Sequence, residues 1–126
     1  RDMDWLKKNI PDDARAYATD ITSAYAVITV MGPNSRALLS ELTDADISHT
    51  AFPFGSSREL DMGYAKVRAS RLTYVGELGW ELYVPTEFAP SLFDTIMEHG
   101  EAHGLKLCGY HTLNSLRMEK GHRQCN

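Results

Sequence analysis

The densest set of side chains able to do chemistry lies in Arg71-Leu72-Thr73-Tyr74-Val75-Gly76-Glu77-Leu78-Gly79-Trp80-Glu81-Leu82-Tyr83-Val84. If Gly76 to Gly79 is a hairpin loop, Val75 faces Trp80, Tyr74 faces Glu81, Thr73 faces Leu82 and Leu72 faces Tyr83. Directly paired residues share one face of a sheet. One face then carries Val75, Trp80, Thr73, Leu82 and Val84, which suits a core. The other carries Leu72, Tyr74, Glu81 and Tyr83, a carboxylate among aromatic rings. Such a carboxylate can accept two parallel hydrogen bonds from an amino group and an adjacent ring N–H. Its aromatic neighbours can cover the faces of a flat heterocycle. The competing reading is a solvent-exposed strand face on which Glu81 pairs with Arg68 or Lys66.

Other polar groups carry less. Arg117, Glu119 and Lys120 read as a charge cluster at a helix end. His49, His99, His103, His111 and His122 show no metal-binding spacing; His99 and His103 are four apart but lack a third ligand nearby in sequence. Ser35, Ser56 and Ser57 have no nucleophile context. Asp44 and Asp46 read as turn residues, and Cys108 as a small buried hydrophobe. Cys108 and Cys125 form no CxxC pair, so neither a zinc site nor a disulfide framework is indicated, and reducing conditions are expected.

The elements that must position these groups follow from periodicity and punctuation. Asp2 to Ile10 reads as a short helix stopped by Pro11, and Ala14 to Ile21 as a weak strand. Ala26-Val27-Ile28-Thr29-Val30 is apolar on both faces and predicts a central strand over Tyr25 to Met31. Gly32-Pro33-Asn34-Ser35 breaks it and opens a helix over Ser35 to Leu42. Thr43 to Ser57 is an irregular connection with apolar anchors. Strands are expected over Glu59 to Tyr64 and Lys66 to Val75, parted near Gly63, with Trp80 to Val84 returning. Thr86 is the expected N-cap of the clearest helix, ended by Gly100 or Gly104. Leu105 to Cys108 is a short strand candidate. A last helix runs from Tyr110 to Lys120 and stops at Gly121.

This order predicts an α+β fold, a mainly antiparallel sheet with helices packed on it. Val27, Ile28, Val30, Trp80, Leu82, Leu92, Phe93 and Ile96 are its expected core. The 126 residues suffice for one domain; residues 1–23 read as a partial N-terminal segment and 24–126 as a partial domain. The start at Arg1 and the run Lys120 to Asn126 read as cuts through something longer. Lys and Arg total 13 against 17 Asp and Glu, a net charge of −4, which argues against a nucleic-acid partner. No apolar run approaches the roughly 18 residues of a membrane helix, and no Gly-rich dinucleotide fingerprint is present.

Tyr74 to Val84 resembles the glycine cleavage T-protein (aminomethyltransferase) family. Three further segments match in order: Val30-Met31-Gly32-Pro33-Asn34-Ser35-Arg36, Leu42-Thr43-Asp44-Ala45-Asp46, and Ser115-Leu116-Arg117-Met118-Glu119-Lys120-Gly121. The resemblance covers about Asp20 to Arg123. Ala51-Phe52-Pro53-Phe54-Gly55 and Leu116 to Gly121 look closest to the folate-binding part of FAD-dependent dimethylglycine and sarcosine dehydrogenases.

The resemblance implies a fragment of the aminomethyltransferase folate-binding fold and tetrahydrofolate as cofactor. Tyr74 and Glu81 stand where the family's folate pocket has its tyrosine and pterin-gripping glutamate. It also implies a parent in which FAD, bound outside this chain, oxidises a small N-methylated amino acid, the folate module then forming 5,10-methylenetetrahydrofolate. A free aminomethyltransferase, a related demethylase and a non-catalytic regulatory or scaffold member are the alternatives. Two departures stand out. Leu113 occupies the position of a ligand-contacting arginine of aminomethyltransferases. The family's catalytic aspartate and C-terminal barrel lie outside this sequence, so no catalytic residue is assigned and the isolated fragment is expected to be inactive. The implied partners are folate, the methylated substrate and the missing parts of the parent, with no nucleic acid or membrane. The implied location is the cytoplasm in a bacterium or the mitochondrial matrix in a eukaryote.

Overall fold

The computed structural model describes residues 2–123; Cys125 lies outside them. Helix α1 (Asp2–Asn9) buries none of its residues. Residues 14–21, read as a weak strand, are irregular and mostly exposed. There Asp20 instead folds back just ahead of a short 3-10 turn over Thr22–Ala24, its carboxylate accepting from the Thr22 amide at 2.9 Å and hydroxyl at 2.6 Å.

Four strands follow: β1 (Tyr25–Met31), β2 (Ser57–Met62), β3 (Ala65–Ser70) and β4 (Gly79–Pro85). They form one antiparallel sheet in the order β1-β4-β3-β2. The α+β architecture and antiparallel pairing are as the sequence predicts. The place of β1 is not, since β1 lies at an edge of the sheet. β4 inserts between β1 and β3, and it is the strand with consecutive buried residues, Gly79 to Leu82. β1 consequently splits its apolar residues. Val30 is buried and Ile28 half-buried on the core side, while Val27 is 50% exposed on the other.

β2 and β3 form a hairpin with Gly63 and Tyr64 as its loop, and Gly63 takes a φ of 55°. Alternation sets the faces of β3: Ala65, Val67 and Ala69 point into the core, Lys66 and Arg68 away. The expected β3–β4 hairpin does not form. β3 ends at Ser70, and Ser70, not Tyr74, stands opposite Glu81. Arg71 extends the pairing toward β2, donating its amide to Ser56 O at 2.9 Å, and residues 71–78 cross to β4 as a loop.

The core face is covered by α2 (Ser35–Ser40), the connection after it, and α3 (Ala89–Gly100). A 3-10 turn at Thr86–Phe88 leads into α3, and Thr86 bonds Ser23 O rather than capping the helix. Leu92, Ile96 and Gly100, four apart, form the buried stripe of α3. Phe93 falls beside that stripe and is 39% exposed, against expectation. Gly104, at φ 72°, ends the following 3-10 turn. Leu105 to Cys108 is not a strand: Leu105 closes the helix end, donating its amide to Gly100 O at 2.9 Å. Cys108 is exposed, not buried. Helix α4 (Tyr110–Glu119) buries no residue fully. Gly121 stops it at φ 66°, with His122 N donating to Arg117 O and Gly121 N to Met118 O.

Candidate functional site

Strand alternation sends Trp80, Leu82 and Val84 into the core and leaves Glu81 and Tyr83 on the opposite face. On that face Glu81 lies between Thr29 of β1 and Ser70 of β3, and Tyr83 between Val27 and Arg68. Glu81 is nonetheless only 6% exposed. Two phenols cover it. Tyr74, from the 71–78 loop, donates to Oε1 at 2.5 Å, and Tyr83 donates to Oε2 at 2.8 Å. Thr73 shapes that loop, its hydroxyl accepting from the amides of Val75 and Gly76 at 3.2 and 3.0 Å.

The pairing of Tyr74 with Glu81 read from a hairpin register therefore exists, but between side chains and from a different backbone path. The competing ion pairs do not form. Arg68 goes to Glu59 at 3.0 Å and Lys66 to Asp61 at 3.1 Å, both on β2. The hydrogen bond to Glu81, with burial, pushes the Tyr74 phenol up to about 12. The same two causes raise that of Tyr83. Both phenols are thus firm donors at neutral pH, with the carboxylate as acceptor.

A carboxylate offers roughly four lone-pair sites, and two are taken here. The remaining acceptor capacity suits a flat ligand that presents adjacent N–H groups, with the Tyr74 and Tyr83 rings beside it. A cleft of about 420 Å³ on the same face is lined by Tyr25, Glu59, Lys66, Arg68, Tyr83 and Pro85, together with Ile21. A larger cavity, about 630 Å³, lies along the free edge of β1 against α3 and α4. Its wall includes Ile28, Phe93, Leu113 and Leu116, but neither Tyr74 nor Glu81. Leu113, where the resemblance to aminomethyltransferases would place an arginine, is part of that wall. The larger cavity also carries Glu77, Lys106, Glu119 and Lys120 on its wall; the carboxylate bonded on both oxygens by phenols is the candidate site.

Several pairings escaped sequence reasoning because they join distant segments. His99 and His103 both meet Glu41 at the end of α2, at 3.0 and 2.6 Å. Lys120 pairs with Glu77 at 2.8 Å, so this end of α4 is tied to the 71–78 loop. Arg36, Arg58 and Arg71 grip the carbonyls of residues 46–52: Arg36 donates to Ile47 O, Arg58 to Asp46 O and Ala51 O, Arg71 to Phe52 O. Arg36 and Arg71 also lie over the Trp80 ring, 5.6 and 5.7 Å from its centroid. Burial, and the nearby Arg36, hold the Arg71 guanidinium below its ordinary value. Asp46 acts as a turn residue, as expected, accepting from the Ser48 amide at 2.8 Å.

The sequence resembles known proteins along the same stretch. It is 43% identical to human mitochondrial sarcosine dehydrogenase over 104 residues, 82% of this chain and 11% of that protein. It is 35% identical to human mitochondrial dimethylglycine dehydrogenase over 123 residues, 97% of this chain and 14% of that protein. Mouse mitochondrial pyruvate dehydrogenase phosphatase regulatory subunit is 36% identical over 117 residues, 92% of this chain and 13% of that protein. The chain thus spans between a tenth and a seventh of the length of these relatives. The family model described as the GCVT N-terminal domain matches residues 1–126. That match, together with relatives that share a third or more of its residues, shows that the chain belongs to the GCVT N-terminal domain family.

Proposed function

We propose that this chain forms one wall of a tetrahydrofolate site in a larger enzyme of the sarcosine or dimethylglycine dehydrogenase type. One observation carries the reading: Glu81 is a nearly buried carboxylate, bonded on each oxygen by a tyrosine and with acceptor capacity left over. The amino group and neighbouring ring N–H of a pterin match that capacity, and Tyr74 contributes an aromatic surface beside it. In the parent, FAD held outside this chain would supply the oxidation of an N-methylated amino acid. The folate module would receive the one-carbon unit as 5,10-methylenetetrahydrofolate. The residues here bind and orient folate, and none of them is assigned the proton transfer. The names of two relatives place them in mitochondria, so in a eukaryote the matrix is the location we propose.

The test is calorimetric titration of tetrahydrofolate into the full-length protein. Glu81→Gln keeps the shape but sets an amide donor against the ligand's donors. Loss of a hydrogen bond to a charged group costs about 1.5–3 kcal/mol, or roughly tenfold to a hundredfold in affinity. Glu77→Gln, in the loop and bonded to Lys120, should change affinity far less. Equal affinity for Glu81→Gln and the unmodified protein would refute the reading. A second reading, a non-catalytic regulatory member, is favoured by the relative named as a phosphatase regulatory subunit. It requires that the full-length protein turn over no methylated amino acid.

A further inference from the structure

The two phenols on Glu81 are held very differently. Tyr74 belongs to a loop and is 41% exposed. Tyr83 stands two residues from Glu81 on β4, its backbone fixed between Val27 of β1 and Arg68 of β3. A glutamate side chain has three torsions, and ordering it costs rotamer entropy that a ligand would otherwise have to offset. Backbone pairing fixes only where that side chain begins. The tie to Tyr83, at 2.8 Å, fixes where one of its oxygens ends. Lys66 and Arg68, the cations on the same face of β3, pair with Asp61 and Glu59 instead. They leave the strand-borne hold on Glu81 to Tyr83.

We propose that Tyr83 is a positioning residue, which sets the plane of the Glu81 carboxylate by holding Oε2 and so aims the remaining lone pairs at the ligand. The proposal rests on the reading of Glu81 as the pterin anchor. Tyr74 sits on a loop, outside the ladder of strand hydrogen bonds. Tyr83 stays with the strand. The raised phenol of Tyr83 is consistent with this role, since it keeps its proton and remains a donor.

Four full-length proteins test it by titration with tetrahydrofolate: unmodified, Tyr83→Phe, Glu81→Gln and the double variant. Tyr83→Phe should weaken binding about tenfold when Glu81 is present. In the Glu81→Gln background the same change should have little effect, because nothing remains to be aimed. A purely structural tyrosine would cost the same in both backgrounds, and that result overturns the proposal. So does unchanged affinity for Tyr83→Phe alongside weakened Glu81→Gln. Unchanged affinity for Glu81→Gln alone refutes the pterin reading instead, and the proposal falls with it. A measurement that needs no Tyr83 variant is the tyrosinate absorbance of the unliganded protein against pH. Glu81→Gln should bring two phenols down toward the ordinary range; a fall of one phenol only removes the tie between Tyr83 and Glu81.

Discussion

Tyr74 reaches Glu81 through its hydroxyl alone: the two side chains meet at 2.5 Å, while the backbone opposite Glu81 on β3 belongs to Ser70. The contact therefore depends on the path of the 71–78 loop and not on a ladder of hydrogen bonds. Loop and strand can be perturbed separately, and the consequences can be measured separately.

Alkaline pH should loosen the fold through this contact. The Tyr74 phenol is raised to about 12, above the ordinary tyrosine value of about 10. The native state thus keeps a proton that the unfolded chain loses. Its contribution to stability is complete below about pH 10 and is lost as pH rises through the folded value. Denaturant midpoints between those limits should fall more steeply for the unmodified protein than for Tyr74→Phe. Parallel slopes would remove this linkage.

Acid should act through a different pair of elements. Glu41 accepts hydrogen bonds from His99 and His103, which hold its carboxyl below the ordinary range. A depressed acid contributes stability above its unfolded value and loses it as pH falls through the folded one. The difference in Tm between the protein and Glu41→Gln should therefore be complete above the ordinary carboxyl range and shrink below it, closing as pH falls through the depressed folded value. A difference that persists unchanged in acid would show that the bridge between α2 and α3 does not depend on the charge of Glu41.

Gly79 is the start of β4 and has no room for a side chain. A Cβ there would stand 2.8 Å from Met31 Cγ and 3.0 Å from the backbone oxygen of Leu72. Met31 can swing away, but the Leu72 oxygen moves only with the loop that carries Tyr74. Gly79→Ala should cost about 1–3 kcal/mol in a denaturant titration. It should also weaken tetrahydrofolate binding to the full-length protein although it removes no ligand contact.

Trp80 is 1% exposed and meets Phe52 edge-on, with ring centroids 6.2 Å apart. Trp80→Ala should cost about 3–5 kcal/mol of stability. The same change removes the ring over which Arg36 and Arg71 lie. The connection at residues 46–52 should then gain backbone amide exchange more than β2 or β3 does.

The inward face of β4 was legible in the sequence because Trp80, Leu82 and Val84 alternate with polar groups; the inward residues of β3, Ala65, Val67 and Ala69, come from the structure. Gly121 was legible as a stop because its role is local. The edge position of β1 was not. An apolar run such as Ala26 to Val30 reports how apolar a strand is, and which neighbour inserts beside it is a non-local fact. The four residues Gly76 to Gly79 match a hairpin loop by count, yet Thr73 turns the chain earlier and Arg71 is drawn toward Ser56. The contact of Tyr74 with Glu81 was anticipated because residue type and family resemblance pointed to the same pair. Tyr83 was placed on the correct face without a role, since its bond to Oε2 depends on a rotamer. The three arginines around residues 46–52 left no local pattern at all, as they come from α2, β2 and the loop after β3.

The outer edge of β1 has a colloidal consequence. Among the described residues β1 pairs with β4 alone, and Tyr25 to Met31 contains no lysine, arginine or proline. Natural sheets use such residues to stop strands of neighbouring molecules from adding on. At high concentration this chain by itself should therefore grow into ribbons through strand addition. A charge placed at half-exposed Val27, as in Val27→Lys, should keep it in discrete particles by light scattering.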